Sequence, residues 1–500
     1  MQFGEIVKIL ESRDLVKNLV NCSNNSLNIR INDIQIDSKN VGKGSLYICR
    51  KGYKFDSHFL ASEVVRRGAC ALITERDVNV DVPYVVVSDS RKAEALITSH
   101  FYGYPHEKLT VFGVTGTNGK TTIATLIHYL LNRFRVKGSL ISTVKNVVMN
   151  EIIPAKNTTP SSTEVFKIMH ETLKKGGKFV SMEISSHALA LHRVDSIKLD
   201  YAILTNITHD HLDFHENFEN YVKTKLKIFN LLKVTGKAVI NSDIGIKINY
   251  PGHIITYGIE NKADFIGSNI RVNKKGTYFD LLIDGKYAGE IHIPLIGSFN
   301  VYNVLAVLAV MIDMGYSLDT LKNMLKKFHG VEGRFELIHD KHLGIDVVID
   351  FAHTPDALQK ALETARQITN GRIIVVFGAG GEGDKYKRPL MGRIASNIAD
   401  VVIITTDNPK SEDPKEILEQ IEEGVDKSKP YLVIEDRKEA IEMAVTIANK
   451  RDLILIAGKG HERTIDYGSY QRPFNDREVL EEILENIKER INAAKAIGNA

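Results

Sequence analysis

Long apolar runs are missing from this chain. No stretch approaches the ~20 consecutive apolar residues of a membrane-spanning helix. The opening MQFGEIVKILESRD reads as a short amphipathic helix and not as a signal peptide. Cysteine is scarce. The three present, Cys22, Cys49 and Cys70, are odd in number and clustered early, which speaks against a disulfide framework and fits a reducing cytoplasm. No Cys-x-x-Cys pair suggests zinc. A dominant charge is also lacking. Lys and Arg number 65 against 62 Asp and Glu, a net of +3. Nucleic acid and membrane are therefore not expected partners, and any phosphate site must be local. Tryptophan is absent, which excludes nothing. There is no internal repeat and no low-complexity segment.

What is present is ordinary for a globular protein: 43% apolar and 25% charged residues over 500 positions. That length implies about three domains, each large enough for its own core. Residues 1–107 hold short apolar runs, SLYIC (45–49), ACALI (69–73) and YVVVS (84–88), separated by helical stretches. They predict a small N-terminal α/β domain. Residues 108–331 open on LTVFGV (109–114) and continue with FVSMEI (179–184), DYAILT (200–205), AVINS (238–242) and a helical VYNVLAVLAVMIDMG (301–315). Strands alternating with helices predict a central, parallel P-loop ATPase-like domain. Residues 332–500 repeat the alternation with DVVIDF (346–351), RIIVVFG (372–378), DVVIITT (400–406) and DLILIAG (452–458), a Rossmann-like α/β domain.

The segment 113–122 reads Gly-Val-Thr-Gly-Thr-Asn-Gly-Lys-Thr-Thr, between a strand and the helical TTIATLIHYLLNRF (121–134). That is the setting of a phosphate loop. Glycines let backbone N–H groups converge on phosphate oxygens, and the helix N-terminus adds its positive end. Gly116, Thr117, Asn118, Gly119, Lys120, Thr121 and Thr122 are the candidate nucleotide ligands. Lys120 is assigned to the β- and γ-phosphates and Thr121 to Mg²⁺. The common pattern has glycine where this chain has Val114. A glycine-rich turn with an incidental Gly-Lys-Thr is the blander reading, and the flanking strand and helix disfavour it.

Glu183 closes an apolar strand, where a carboxylate can hold Mg²⁺. Thr-His-Asp-His-Leu-Asp-Phe-His (208–215) packs three histidines and two aspartates after another strand. It is a ligand cluster or a solvated loop, without the spacing of a zinc site. A phosphate loop alone fits a motor, a GTPase, a kinase or a ligase. No Asn-Lys-x-Asp guanine signature supports the GTPase.

Twelve motifs in order resemble those of the Mur ligases of cell-wall precursor synthesis, and most closely the MurE type, UDP-N-acetylmuramoyl-tripeptide synthetase. They are Asp-Ser-Lys (37–39), GVTGTNGKTT (113–122), Asn-Thr-Thr-Pro (157–160), Glu-Ile-Ser-Ser-His (183–187), DHLDFH (210–215), YVKTK (221–225), GSFNVYN (297–303), GRFE (333–336), DFAHTPDAL (350–358), KRPLMG (387–392), DNPKSEDP (407–414) and GKGHE (458–462).

The resemblance implies an ATP-dependent, ADP-forming amide ligase. In that family the first domain holds the UDP part of the acceptor, the central one binds ATP, and the last brings the amino acid. The partners implied are a UDP-linked peptide acceptor and a free amino acid, with a monomer in the cytoplasm. Thr121 and Glu183 would bind one Mg²⁺, and Glu183, His211 and Lys225 would serve a second, with Lys225 carbamylated. Read without the family, Lys225 is a surface lysine on a helix. Lys120, Glu183, His211 and Lys225 form the implied catalytic set. Asn303 would contact adenine, Asp350 the ribose and Arg334 a phosphate. Ser38, Thr158, Thr159, Ser185 and Arg193 would hold the acceptor. Asp407, Asn408, Lys410, Gly458 and Glu462 would hold the amino acid.

The chain departs from the family where the amino acid is chosen. Members that add diaminopimelate carry Asp-Asn-Pro-Arg and an arginine in Gly-Asp-Arg-Asp-Lys; here those arginines are Lys410 and Gly383. A lysine is a point charge without the bidentate fork. Two readings stay open: a variant bacterial enzyme, or an archaeal pseudomurein relative adding a different L-amino acid. Folylpolyglutamate synthase and a non-enzymatic ATP-dependent scaffold are more distant alternatives. The G-x-G-x-x-G at 378–383 mimics a dinucleotide fingerprint. That fingerprint should open a helix at once, whereas Pro389 is expected to delay it.

Overall fold

The computed structural model describes the chain apart from residues 53–54, 209–211, 247, 249 and 499–500. His211, a candidate metal ligand, therefore lies outside the described residues. The described residues build three large α/β sheets in succession along the chain.

The first sheet runs Val16–Val20, Tyr84–Val87, Ala69–Thr74, Ser45–Ile48, Asp33–Gln35, parallel except for its first strand. The amphipathic N-terminal segment forms the helix Phe3–Glu11, with Phe3, Ile6, Val7 and Leu10 buried.

The middle sheet has the phosphate-loop strand Thr110–Thr115 near its centre. Phe179–Glu183 pairs with it on one side and Leu199–Leu204 on the other, both parallel. Side chains alternate between two cores, as a doubly covered sheet requires. Phe112, Val114 and Ile203 face the helices Lys120–Arg133 and Phe299–Asp313, whereas Val111, Ala202 and Leu204 face the helix Ser162–Lys174. The alternation of runs predicts a parallel sheet, but the sheet is not parallel throughout. Phe265–Asn273, Gly276–Ile283 and Lys286–Ile293 extend it as an antiparallel meander.

The third sheet runs Glu336–Asp340, Ile345–Asp350, Leu453–Ala457, Ile373–Phe377, Val401–Ile404, Tyr431–Val433, parallel but for the first. After the dinucleotide-like glycines a loop intervenes, and the next helix is Lys387–Ile398. The helix contains Pro389, contrary to the expectation that proline would delay it. In a first turn the missing N–H forfeits no intrahelical bond. No helix among the described residues is long and apolar enough to cross a membrane.

Burial pushes His106 and His128 down to about 4 and His461 down to about 3. All three are neutral in the folded chain, while in the unfolded chain they titrate near their ordinary 6.5. Below that value the unfolded state binds protons that the folded state refuses, so stability is complete above pH ~6.5 and falls as pH drops toward ~4. Thermal denaturation across this window should show a falling Tm, and His106→Leu should flatten the slope.

Candidate active site

The glycine-rich segment lies between the strand Thr110–Thr115 and the helix Lys120–Arg133, the setting that its sequence predicts. Gly116 and Gly119 have φ of +145° and +90°, conformations that side chains rarely adopt. A Cβ on Gly116 would collide with the Thr205 hydroxyl, and one on Gly119 with the Asn303 side chain. The loop is braced by Thr205 and Asn206, just past Leu199–Leu204. Thr205 Oγ1 donates to the Asn118 carbonyl at 2.6 Å, and the Asn118 N–H donates to Asn206 Oδ1 at 2.9 Å. Thr117 Oγ1 lies 3.1 Å from the Tyr221 hydroxyl. Sequence reasoning missed these braces, although their place at a strand end beside the loop was a usable signal. Lys120 Nζ donates to the carbonyls of Gly116 and Thr117 at 2.9 and 2.8 Å.

Parallel pairing sets Glu183 opposite Val114. Its carboxylate is fully buried and accepts the Thr143 N–H at 2.7 Å and the Thr143 hydroxyl at 3.0 Å. Thr143 Oγ1 also lies 3.1 Å from Thr158 Oγ1. Thr159 Oγ1 donates to the Glu183 carbonyl at 2.8 Å and accepts the Ser185 N–H at 3.0 Å, while Arg193 donates to the Thr159 carbonyl at 2.8 Å. Thr143 is a second residue that sequence reasoning missed.

Lys225 is not a surface lysine. It is 1% exposed, its Nζ donates to the Gly116 carbonyl at 2.7 Å, and it sits 4.6 Å from the Tyr221 ring centroid. The helix Phe218–Leu226 carries it inward beside Tyr221 and Thr224, both buried. A cavity of about 310 Å³ is lined by Lys120, Thr158, Thr159, Ser185, Arg193 and Lys225, among others. Five of these are separate sequence candidates and Lys120 belongs to the phosphate loop, so one space joins them.

The third domain reaches the loop from the other side. Arg334 donates to Thr121 Oγ1 at 3.2 Å, and Asn118 Nδ2 donates to Asp356 Oδ2 at 3.1 Å. Burial lowers the Arg334 guanidinium below its ordinary value, against the pull of Glu183 and Asp350. A cavity of about 700 Å³ between the domains is lined by Thr122, Asn300, Arg334 and residues of the 329–337 linker. Asn303 bonds Asn300 at 3.1 Å, one turn along the same helix. Asp350 is committed elsewhere: its two oxygens accept the N–H groups of Phe335 at 2.6 Å and Ala352 at 2.9 Å. It ties down the linker and is not among the residues lining that cavity, and burial raises its pKa. Ser38 bonds within the first domain, its carbonyl accepting Arg67.

The amino-acid candidates converge at strand ends of the third sheet. Asn408 donates to Glu462 at 2.8 Å, and Lys459 donates to Asn408 and Glu462 at 2.9 and 2.7 Å. Burial raises the Glu462 carboxyl. Asp407 is buried, and its Oδ2 has no hydrogen-bond partner among the described residues. Gly458, at φ +114°, leaves the room that this oxygen occupies. Lys410 sits at φ +53° with its N–H on the Asp466 carbonyl at 2.8 Å. A Cβ on Gly383 would meet nothing within 4 Å. Beneath these loops Arg437 and Asp476 form a fully buried pair at 2.7 and 2.9 Å, and Arg437 also donates to the carbonyls of Thr406 and Ala457. It thereby clamps the bases of both loops.

Fold and site together are those of an ATP-dependent amide ligase. The Mur ligase middle domain matches residues 114–311, the Mur ligase glutamate ligase domain residues 333–460, and the Mur ligase family catalytic domain residues 30–102. The chain belongs to the Mur ligase family. It is similar to the UDP-N-acetylmuramoyl-L-alanyl-D-glutamate--2,6-diaminopimelate ligase of Caldanaerobacter subterraneus subsp. tengcongensis, 42% identical over 480 residues, covering 94% of this chain and 98% of the relative. The enzyme of the same name from Clostridioides difficile is 43% identical over 470 residues, covering 92% and 96%. A solved structure of a ligase of that name superposes with a TM-score of 0.65 at 30% identity, covering 98% of this chain and 99% of the other.

Removing one partner of a buried pair leaves an uncompensated charge, at a cost of about 3–5 kcal/mol. Asp476→Ala should lower the unfolding free energy by about that amount in urea denaturation.

Proposed function

We propose that the chain joins an amino acid to the carboxylate of a UDP-linked muramoyl-type peptide through an acyl-phosphate, at the expense of ATP, in cell-wall precursor synthesis. The cavity shared by Lys120, Thr158, Thr159, Ser185, Arg193 and Lys225 carries the reading. Lys120 and the residues proposed to hold the acceptor line one volume, which supports the reading. The reading includes a monomeric, cytoplasmic enzyme with no nucleic-acid partner.

A carboxylate is a poor electrophile. When one of its oxygens attacks the γ-phosphorus and ADP departs, the carbonyl carbon gains a good leaving group. The incoming amine attacks that carbon, phosphate leaves, and the nitrogen sheds a proton. In this chain Lys120 would turn from the Gly116 and Thr117 carbonyls to the phosphates. Backbone N–H groups of the loop and the N-terminus of Lys120–Arg133 would hold the remaining oxygens.

The donor set fits Mg²⁺. The Thr121 hydroxyl and the Glu183 carboxylate are hard oxygen ligands, and Thr143 fixes the carboxylate's orientation. Bound Mg²⁺ would offset the negative charge where carboxylate and phosphate meet. The buried amine of Lys225 suits carbamylation, which converts a cation beside the loop into an anionic oxygen donor.

The named relatives are bacterial ligases of diaminopimelate. They support that amino acid over the archaeal alternative. Folylpolyglutamate synthase of Mycobacterium tuberculosis shares the fold, with a TM-score of 0.61 at 16% identity.

Phosphate release should appear only when ATP, a UDP-linked muramoyl-dipeptide and an amino acid are all present. A panel containing diaminopimelate, lysine and alanine identifies the donor, and silence with every UDP-linked acceptor would remove the reading. Lys225→Ala should lose about 100-fold or more in rate and recover part of it with added short carboxylates; full activity without them would take Lys225 out of the site.

A further inference from the structure

The turn that carries Lys410 is gripped from both sides. Lys410 sits at φ +53°, in the left-handed region that side chains seldom occupy. Its N–H donates to the Asp466 carbonyl at 2.8 Å. Asp466 belongs to a hairpin, in which Thr464–Asp466 pairs antiparallel with Gln471–Pro473. The Asp466 N–H donates in turn to Asn408 Oδ1 at 3.0 Å. Gly468 lies in the hairpin turn at φ +77°, and a Cβ there would meet the Lys410 carbonyl carbon at 3.0 Å and the Ser411 nitrogen at 3.2 Å. The hairpin thus rests directly on residues 408–411. On the opposite side, the Gly381 N–H donates to the Asn408 carbonyl at 2.8 Å, and the Ser411 hydroxyl donates to Glu382 Oε1 at 2.6 Å.

The hairpin is itself anchored. Ile465 and Phe474 are buried in a core of the third domain. Arg472 donates to Asp436 Oδ2 at 3.2 Å, and the Tyr467 and Tyr470 rings stack at 5.0 Å across the turn. The backbone of Lys410 is therefore committed to a fixed support. Its side chain is not: the ammonium has no hydrogen bond or ion pair among the described residues. A lysine is a point charge on a long, rotatable stem, so ordering it on a ligand costs entropy. A fixed backbone removes part of that cost before the ligand arrives. The left-handed conformation also turns the Cα–Cβ bond in a direction that a helical or extended residue does not reach.

We propose that the hairpin 464–473 is a positioning element for the incoming amino acid: through Asp466 and Gly468 it holds Lys410 left-handed and so aims the Lys410 ammonium at a carboxylate of that amino acid. This rests on the ligase reading above. Asp466 and Gly468 act through Lys410. Asn408 joins the hairpin to the far side of the cleft, since it also accepts Lys459 and donates to Glu462.

The test is a double-mutant cycle in steady-state turnover. Gly468→Val puts a branched side chain at a positive φ, against the Lys410 backbone. KM for the amino acid should rise about tenfold in Lys410→Ala and about fivefold in Gly468→Val. KM for ATP, KM for the acceptor and kcat should not move. The double variant should match Lys410→Ala alone, because the hairpin then has no charge to aim. Lys410→Arg, which keeps the charge, should stay sensitive to Gly468→Val. Losses that simply multiply in the double variant overturn the proposal, as does an unchanged amino-acid KM in Gly468→Val. A shift of all three KM values alike, with a lowered Tm, also overturns it in favour of a structural role. If the wild type turns over no UDP-linked acceptor, calorimetry with diaminopimelate decides. Binding that Gly468→Val weakens only while Lys410 is present supports the proposal, and no binding to the wild type overturns it.

Discussion

The phosphate-loop strand Thr110–Thr115 is hydrogen-bonded in parallel between Phe179–Glu183 and Leu199–Leu204. Parallel pairing makes all three strands end on one edge of the sheet. The segments leaving those strand ends are consequently brought together: the loop after Thr115, Glu183 and Ser185 at the end of the second strand, and Thr205 and Asn206 past the third. A one-residue slip would exchange the two faces of a strand. Both faces are packed here, so the two cores enforce the register that puts Glu183 opposite Val114. The site's precision derives from this pairing, and the loop's own glycines only permit the close approach to Thr205 and Asn303.

Much of this was legible because apolar alternation and glycine chemistry are local signals. Thr110–Thr115, Phe179–Glu183 and Ile373–Phe377 fall within a residue or two of the runs that announced them. The burial of Lys225 was not legible. The Gly116 carbonyl that accepts its Nζ is a contact across 109 positions, which no local pattern announces. Thr143 escaped for the same reason, since its part in orienting Glu183 spans 40 positions. Asp350 was legible as a strand-end carboxylate, but its commitment to Phe335 and Ala352 depends on how the 329–337 linker folds back.

Among the described residues, Arg334 to Thr121 and Asn118 to Asp356 join the middle and third domains at the loop. Each is worth on the order of 1–3 kcal/mol at most. Thr121 and Asn118 are also loop groups that a nucleotide would address. On the proposed reading the same atoms would serve domain contact in one state and ligand contact in another, which would couple nucleotide occupancy to the placement of the third domain.

The amino-acid side of the cleft follows a different logic. Its loops are clamped from below by Arg437, whose guanidinium reaches both strand ends and is neutralised by Asp476 away from solvent. A rigid base with Asp407, Glu462 and Asn408 fixed upon it provides acidic and amide groups suited to an ammonium. Beside them Lys459 supplies a buried cation, Lys410 offers a further point charge and Gly383 offers none. Gly383 is not required by its backbone, since φ there is not positive and a Cβ would meet open space. The fold would accept a longer side chain at that position. On the proposed reading, side chains at these two positions can diverge without disturbing the phosphate loop or the clamped base.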